Sequence, residues 1–569
     1  MSLTNSGGDN SVLSALRCCK IDHGYFFICF FNNMYVSVKQ LFSLGKFLKI
    51  LKSFCHFLKK FSQNIIFVPF IQLCCCSFDK DLPEFHTENG LTRHNDGCTI
   101  TSPTLMWVKA VDLLLMKMMT KGVDFSKVDM ISGTGQQHGS VYWKNAAELT
   151  LTHLDENSTL VDQLQDCFVI SNSPVWMDSS TTKQCEDLEQ AAGGSMQLSK
   201  ITGSKAYERF TGNQIAKIYQ TCADDYRNCE RICLVSSFLA TLFIGKYAPI
   251  DFSDGSGMNL LNINTKEWEA SLMKACAPGL ANRLGVPVAS SSVIGKVSKY
   301  MHGRYNFPSS CEVIAFTGDN PSSLAGMRLD HTDVAVSLGT SDTLMFWSES
   351  ANPSTEGHVF VNPLDKEKYM AMLCFKNGSL SREKICAEHC KGSWEEFNQF
   401  LKNTPAGNGG KIGIYFDEME ILPHVKGVYK WNENDDDVTT FESAEEVRAV
   451  IEGQFLAKRY HAQMFGFKPT ESSRILATGG ASENTVILQV LSDVFNLPVY
   501  TLKETSNSAC LGGIYRCKQA SIADGTLSYL EAIKDLPPHR LVCKPNEDHV
   551  TMYEHMLDRY RRLEQSLVS

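Results

Sequence analysis

The sequence predicts an α/β protein of more than one domain, and three observations carry that reading. A chain of 569 residues with 43% apolar and 21% charged composition can bury large cores and usually divides into two or more domains. From Phe78 onward, short apolar runs alternate with stretches of helical periodicity, as strands and helices do when they take turns. Several of those runs end in glycine next to small hydroxyl or amide residues, where a chain leaving a strand turns sharply.

Taken in order, Ser102-Pro103 offers an N-cap and a proline for a first helical turn. Leu105, Val108, Val111 and Leu115 give that helix an apolar face, and Gly122 ends it. Residues 128–131 read as a buried strand running towards Gln136-Gln137-His138. Residues 313–316 form another apolar run, broken by Thr317-Gly318-Asp319-Asn320. Residues 334–338 and 343–347 flank Gly339-Thr340-Ser341-Asp342 and predict a hairpin with a small-residue turn. Residues 474–478, the stretch after Asn484, and residues 499–502 then predict strand, helix and strand. Residues 404–411 and 432–437, rich in Gly, Asn, Lys or Asp, read as exposed loops.

Charge and cysteine content narrow the function classes. A net charge of −9 gives no general attraction to nucleic acid or acidic membrane. Twenty-one cysteines in a long chain without a secretory signal read as reduced thiols of a cytoplasmic protein. Cys229/Cys233 and Cys386/Cys390 are each spaced to share one helical face, and without a second pair at zinc spacing they read as packing residues. No metal ligand is assigned.

The first 77 residues differ from the rest. They hold eight Lys and Arg against Asp9 and Asp22, with aromatic runs such as Tyr25-Phe26-Phe27 and the triplet Cys74-Cys75-Cys76. Leu44, Phe47, Leu48, Leu51, Phe54, Leu58 and Phe61 recur beside lysines, the pattern of a cationic amphipathic helix. Asn32-Asn33, Pro69 and the lysines keep every run short of the roughly eighteen apolar residues of a spanning helix. Membrane contact is not expected of it.

Three places in the remainder carry candidate chemistry. Ser337-Leu338-Gly339-Thr340-Ser341 and Thr478-Gly479-Gly480-Ala481-Ser482 put free backbone N–H groups at strand ends, where phosphate can approach the main chain. Asp319, after an apolar run and between glycine and asparagine, is placed to orient a hydroxyl and accept its proton during phosphoryl transfer. Gln136-Gln137-His138 offers amide and imidazole groups for polyol hydroxyls. Each signal also has a plain structural explanation: a hairpin turn, a strand-to-helix turn, an Asx turn or a packed histidine.

The segments occur together in the order of one family. Residues 132–142 (SGTGQQHGSVY), 176–178 (WMD), 206–213 (AYERFTGN), 316–326 (FTGDNPSSLAG), 336–343 (VSLGTSDT), 375–380 (FKNGSL) and 476–484 (LATGGASEN) resemble the matching segments of FGGY carbohydrate kinases. The members most similar to them phosphorylate D-xylulose. The resemblance runs from about Phe78 to the end. It implies two ribonuclease-H-like domains, as in actin and hexokinase, with sugar and ATP in a central cleft. The first domain spans residues 78–330 on the sugar side and the second residues 331–569 on the ATP side. It further implies ATP and Mg²⁺ as cosubstrate and ion, and small-molecule partners rather than nucleic acid. By the same resemblance Asp319 would be the general base, and His138, Arg209, Asp319 and Asn320 the sugar contacts. Thr340 would lie near the ATP phosphates, and Trp394, Gly480, Ala481 and Asn484 would contact the nucleotide.

One departure is plain. The family opens with a strand and hairpin carrying an acidic Asp-x-Gly/Ser-Thr phosphate motif, and residues 1–77 contain none. The first domain is therefore expected to lack its usual opening hairpin, which is missing or replaced, and the chain is expected to show little or no kinase activity. The alternatives are another pentulose or polyol as acceptor, or a sugar- or nucleotide-binding protein without turnover.

Overall fold

The computed structural model describes residues 13–21, 25–34, 72–502, 508–522 and 528–568. Two seven-stranded sheets organise it. The first contains β1 (Leu13–Ile21), β2 (Tyr25–Met34), β3 (Gln72–Ser77), β4 (Met130–Gly135), β5 (Val293–Lys296), β6 (Glu312–Ile314) and β7 (Thr317–Gly318). Its order is β5-β6-β4-β2-β1-β3, with β7 pairing β4. The second contains β8 (Val334–Leu338), β9 (Asp342–Ser348), β10 (His358–Val361), β11 (Tyr369–Phe375), β12 (Ile475–Thr478), β13 (Val499–Thr501) and β14 (Arg540–Cys543). Its order is β10-β11-β9-β8-β12-β13-β14.

The sheets share a plan. In the second, β8 is antiparallel to β9 and parallel to β12, which is parallel to β13. In the first, β2 is antiparallel to β1 and parallel to β4, which is parallel to β6. This arrangement of three antiparallel strands continued by parallel ones is the ribonuclease-H-like plan implied by the resemblance. The place of the opening hairpin is filled from the leading segment, so that hairpin is replaced. The cationic helix expected at residues 44–61 lies outside the described residues, as do Asp9 and Asp22.

Helix α1 (Thr104–Thr120) buries Met106, Trp107, Val108, Val111, Leu114 and Leu115 completely. A side chain of that size contributes about 1.5–3 kcal/mol when withdrawn from water. The expected cap is corrected: Ser102 lies in a strand opposite Ser173, its hydroxyl donates to the Gly90 carbonyl at 2.8 Å, and the helix begins at Thr104. Strand pairing there wins over the serine's capping preference. Cys229 and Cys233 lie in strand Cys229–Leu234 rather than on a helix. An even spacing puts two residues on one face of a strand as well, which is why the pattern misled.

The two halves are locked by helix α7 (Ser508–Ile522) against helix α2 (Asp319–Gly326). A Cβ on Gly326 would fall 1.7 Å from the Ser508 carbonyl oxygen, and one on Gly512 1.8 Å from that of Ser322. The helices therefore meet backbone to backbone. Fully buried Arg516 then donates to the carbonyls of Ala315 at 2.7 Å, Ser290 at 3.0 Å and Gly133 at 3.1 Å. This contact fixes helix α2, whose first residue is Asp319. Among the described residues, no helix is long and apolar enough to cross a membrane.

Candidate active site

The candidate residues His138, Asp319, Thr340 and Gly480 follow the carboxyl ends of β4, β7, β8 and β12, the place where open α/β sheets hold their ligands. On the first sheet, β7 pairs with β4 through Thr317 opposite Thr134 and Gly318 opposite Gly135. Asp251, buried behind them, accepts from the Thr317 hydroxyl at 2.7 Å and pins the strand end. That register brings Asp319 to Gln137. The Asp319 Oδ1 accepts the Asn320 backbone N–H at 3.0 Å and the Gln137 backbone N–H at 3.3 Å, and the Asn320 side-chain amide donates to Gln137 Oε1 at 3.0 Å. These bonds to Asp319 end on Oδ1, which leaves Oδ2 for an incoming proton.

Burial pushes the Asp319 carboxyl up to about 6, against the opposing pull of the Gln137 and Asn320 backbone N–H groups. It is thus ionised at neutral pH, yet a much better proton acceptor than an ordinary aspartate. Below about pH 6 the acid form prevails, and a base at this position would be lost. We expect kcat/KM to fall about tenfold per pH unit below that point, a slope that a pH–rate profile at saturating ATP will read.

His138 adopts a left-handed φ of 71°, and its ring stacks on Phe210 at 4.4 Å between centroids. Its Nδ1 lies 2.8 Å from the Gly257 carbonyl. A carbonyl only accepts, so the proton sits on Nδ1 and Nε2 remains an acceptor. Burial, with Arg209 adding to it, pulls the imidazole down to about 3, so the ring is neutral. Arg209 stands immediately before Phe210, its guanidinium 4.8 Å from the Tyr207 ring centroid. Imidazole and guanidinium thus supply an acceptor and a charged donor, the pairing that polyol recognition needs.

On the second sheet, Leu338 pairs with Asp342 across the turn Gly339-Thr340-Ser341. Fully buried Asp342 holds that turn, its Oδ1 accepting the Gly339 N–H at 3.1 Å. Arg382 binds both Asp342 oxygens at 2.9 and 3.0 Å and also reaches the Gly339 carbonyl at 3.3 Å. Lys458 lies 2.9 Å from Oδ2. Burial alone would raise the Asp342 carboxyl, but Arg382 and Lys458 hold it below the ordinary range. Two buried cations against one carboxylate place positive potential behind a turn suited to phosphate. The second glycine turn abuts the first: Gly479 has φ 83°, and a Cβ there would lie 2.5 Å from the Leu338 carbonyl oxygen, whereas Gly480 faces open space.

Trp394, 41% exposed, begins helix α4 (Trp394–Asn403). Asn484 caps helix α6 (Thr485–Phe495), its Oδ1 accepting from Val486 and Ile487 N–H groups, while its Nδ2 donates to Asn398 on α4 at 2.8 Å. Asn484 therefore braces the helix that carries Trp394. Ala481 packs its methyl against the core of this half. The structure thus groups Gln137, Asp319 and Asn320, sets His138 and Arg209 around Phe210, and places Gly479 against the end of the Thr340 turn. Arg382 and Lys458 were missed by the sequence reading, since nothing local marks either as a partner of Asp342.

Comparison with known proteins follows the same division. The model of the FGGY family of carbohydrate kinases, N-terminal domain, matches residues 84–326, and that of its C-terminal domain matches residues 334–520. A curated relative named xylulose kinase from Rattus norvegicus is 54% identical over 493 residues, covering 86% of this chain and 92% of that protein. Xylulose kinase 2 from Arabidopsis thaliana is 46% identical over 453 residues, covering 77% of this chain and 81% of its own. The crystal structure of xylulose kinase from Rhodospirillum rubrum shares the fold with a TM-score of 0.71 at 15% identity, over 87% of this chain and 94% of that one.

Proposed function

Since the chain belongs to the FGGY family of carbohydrate kinases, we propose that it transfers the γ-phosphate of ATP to the 5-hydroxyl of D-xylulose, giving D-xylulose 5-phosphate and ADP. The observation that carries the substrate is the 54% identity to a named xylulose kinase over 92% of that protein. The site fits the chemistry. Asp319 Oδ2 takes the proton of the attacking hydroxyl as its oxygen bonds to the γ-phosphorus. The bond from that phosphorus to the β,γ-bridging oxygen breaks, and the electron pair leaves with ADP. His138 and Arg209 hold the sugar's other oxygens, and Asn320 supports both Asp319 and Gln137. The Gly339–Ser341 turn with Thr340 receives the phosphates, while Gly480, Ala481 and Trp394 border the nucleotide and Asn484 holds that border in place.

The family implies ATP, and Mg²⁺ is the ion that accompanies it in such kinases. Among the described residues no three His, Cys, Asp or Glu side chains converge to hold an ion. The described residues thus form no closed metal cage, and Mg²⁺ asks for none, since it binds through the phosphates it accompanies with one or two carboxylates beside them.

A coupled assay of ADP release tests the acceptor, with D-xylulose against D-ribulose and glycerol. D-xylulose is expected to give the highest kcat/KM, and a preference for either of the others overturns this reading. Variants test the sugar contacts. His138→Ala and Arg209→Ala are each expected to raise the KM for D-xylulose about 10- to 100-fold, because a site built to hydrogen-bond hydroxyls loses a partner. The KM for ATP should change by less than about threefold, and a selective rise for ATP contradicts the assignment.

A further inference from the structure

The sugar-side arginine is held by a residue from the opposite sheet. His358 opens β10, the edge strand of the second sheet, yet its Nε2 lies 2.9 Å from Nη2 of Arg209, which stands 149 positions earlier in the chain. A guanidinium only donates, so Nε2 is the acceptor and the ring proton sits on Nδ1. That proton finds the Ser204 hydroxyl at 3.0 Å. Both ring nitrogens are therefore committed to the loop that carries Arg209, one bonding the guanidinium and the other fixing the tautomer.

Two further observations show that this is a built arrangement. The His358 ring belongs to a row of rings that crosses from one half to the other. His138 stacks on Phe210 at 4.4 Å, Phe210 lies 5.4 Å from His358, and His358 stacks on Phe360 at 5.6 Å. Tyr207, beneath the Arg209 guanidinium, meets His358 edge-on at 4.8 Å. The outer edge of β10 is also not free. Val359 N–H donates to the Gly203 carbonyl at 2.8 Å, Val361 N–H to the Ser256 hydroxyl at 3.1 Å, and the Ser253 hydroxyl to the Val361 carbonyl at 2.7 Å. Strand β10 thus pairs with β11 on one side and is bonded to the sugar-side half on the other.

We propose that His358 is a positioning residue for the acceptor site: it aims Arg209 at the sugar, so the site is completed from the ATP-side sheet. The inference rests on the reading of Arg209 as a sugar contact. Its consequence is that sugar affinity depends on the two halves holding this contact. An imidazole acceptor suits the purpose because it orients the guanidinium without neutralising it, as a carboxylate would. Burial, reinforced by Arg209, His138 and Lys205, holds the His358 ring well below its ordinary titration range and so keeps the acceptor in place.

Calorimetry on the full chain tests this, titrating D-xylulose and ATP separately into the parent, His358→Leu, His358→Gln, His358→Asn and Arg209→Ala. Leucine removes the acceptor and is expected to weaken D-xylulose binding about 10- to 100-fold, with ATP binding changed by less than about threefold. Glutamine puts an acceptor oxygen where Nε2 stands and should return the sugar Kd to within about fourfold of the parent. The shorter asparagine reaches only the Nδ1 position and should not. If His358→Leu fails to fold, the Gln and Asn pair decides, and equal sugar affinities for the two overturn the proposal. It is also overturned, with the sugar site left standing, if Arg209→Ala weakens sugar binding and His358→Leu does not. If Arg209→Ala leaves sugar binding unchanged, the site reading and this inference fall together.

Discussion

Asp319→Asn is expected to lower D-xylulose-dependent turnover by about 10²- to 10⁴-fold, the usual cost of losing a general base. The amide keeps the shape of the side chain but cannot accept the proton of the attacking hydroxyl. Its carbonyl oxygen can still take the N–H bonds that Gln137 and Asn320 give to Oδ1. Helix α2 is anchored elsewhere, through its backbone contact with α7 and the Ser322 hydroxyl bonded to the Ala509 carbonyl at 2.7 Å. ATP affinity and thermal unfolding should accordingly stay close to the parent. The variant should also lack the acid limb expected near pH 6 for the parent. A loss below tenfold in a folded variant means that another group takes the proton.

The second large effect concerns the leading segment. Exchanging residues 1–77 for a strand, turn and strand of the family's opening type is expected to raise kcat by about 10²- to 10³-fold, the scale of restoring donors to a developing charge. The reason lies in strand order. In the second sheet β8 precedes β9, and their turn falls at the carboxyl end of β8, beside Gly479. In the first sheet β2 takes the place of β8, but β1 comes before it. Ile21 and Tyr25 therefore meet where Tyr25 pairs with Met130, at the start of β4. Gly135 and Gln137 lie at the other end of that strand, with Asp319. The polarity of the sheet is kept, while Ile21 and Tyr25, which end and begin the two opening strands, stand at the opposite end of β4 from Asp319. The described strands of the segment, LSALRCCKI, YFFICFFNNM and QLCCCS, also hold no carboxylate. A gain below threefold in a folded exchange protein would mean that the order of these two strands has no part in catalysis.

The sequence made legible what local chemistry enforces. Gly318-Asp319-Asn320 stood out because an acidic residue follows an apolar run at a glycine, and the structure places it at the end of β7. Both glycine turns were legible for a similar reason, since each must let backbone approach backbone or ligand. What stayed hidden depends on contacts across the fold. Nothing near His358 marks it as the partner of a residue 149 positions away. Arg382 reads as an ordinary helical cation until the turn brings Asp342, 40 positions earlier, against it. The exchanged order of β1 and β2 was equally hidden, because strand pairing across a sheet leaves no periodic trace that fixes which neighbour comes first.

The most direct test of the account follows the phosphate itself. The intact chain is incubated with ATP labelled in its γ-phosphate and with D-xylulose, and the labelled products are separated and identified. The account predicts label on the C5 oxygen of D-xylulose, formed mole for mole with ADP, absent without the sugar and lost in Asp319→Asn. Release of labelled inorganic phosphate at a rate indifferent to D-xylulose, or no labelled sugar under conditions where calorimetry shows both substrates bound, would contradict it.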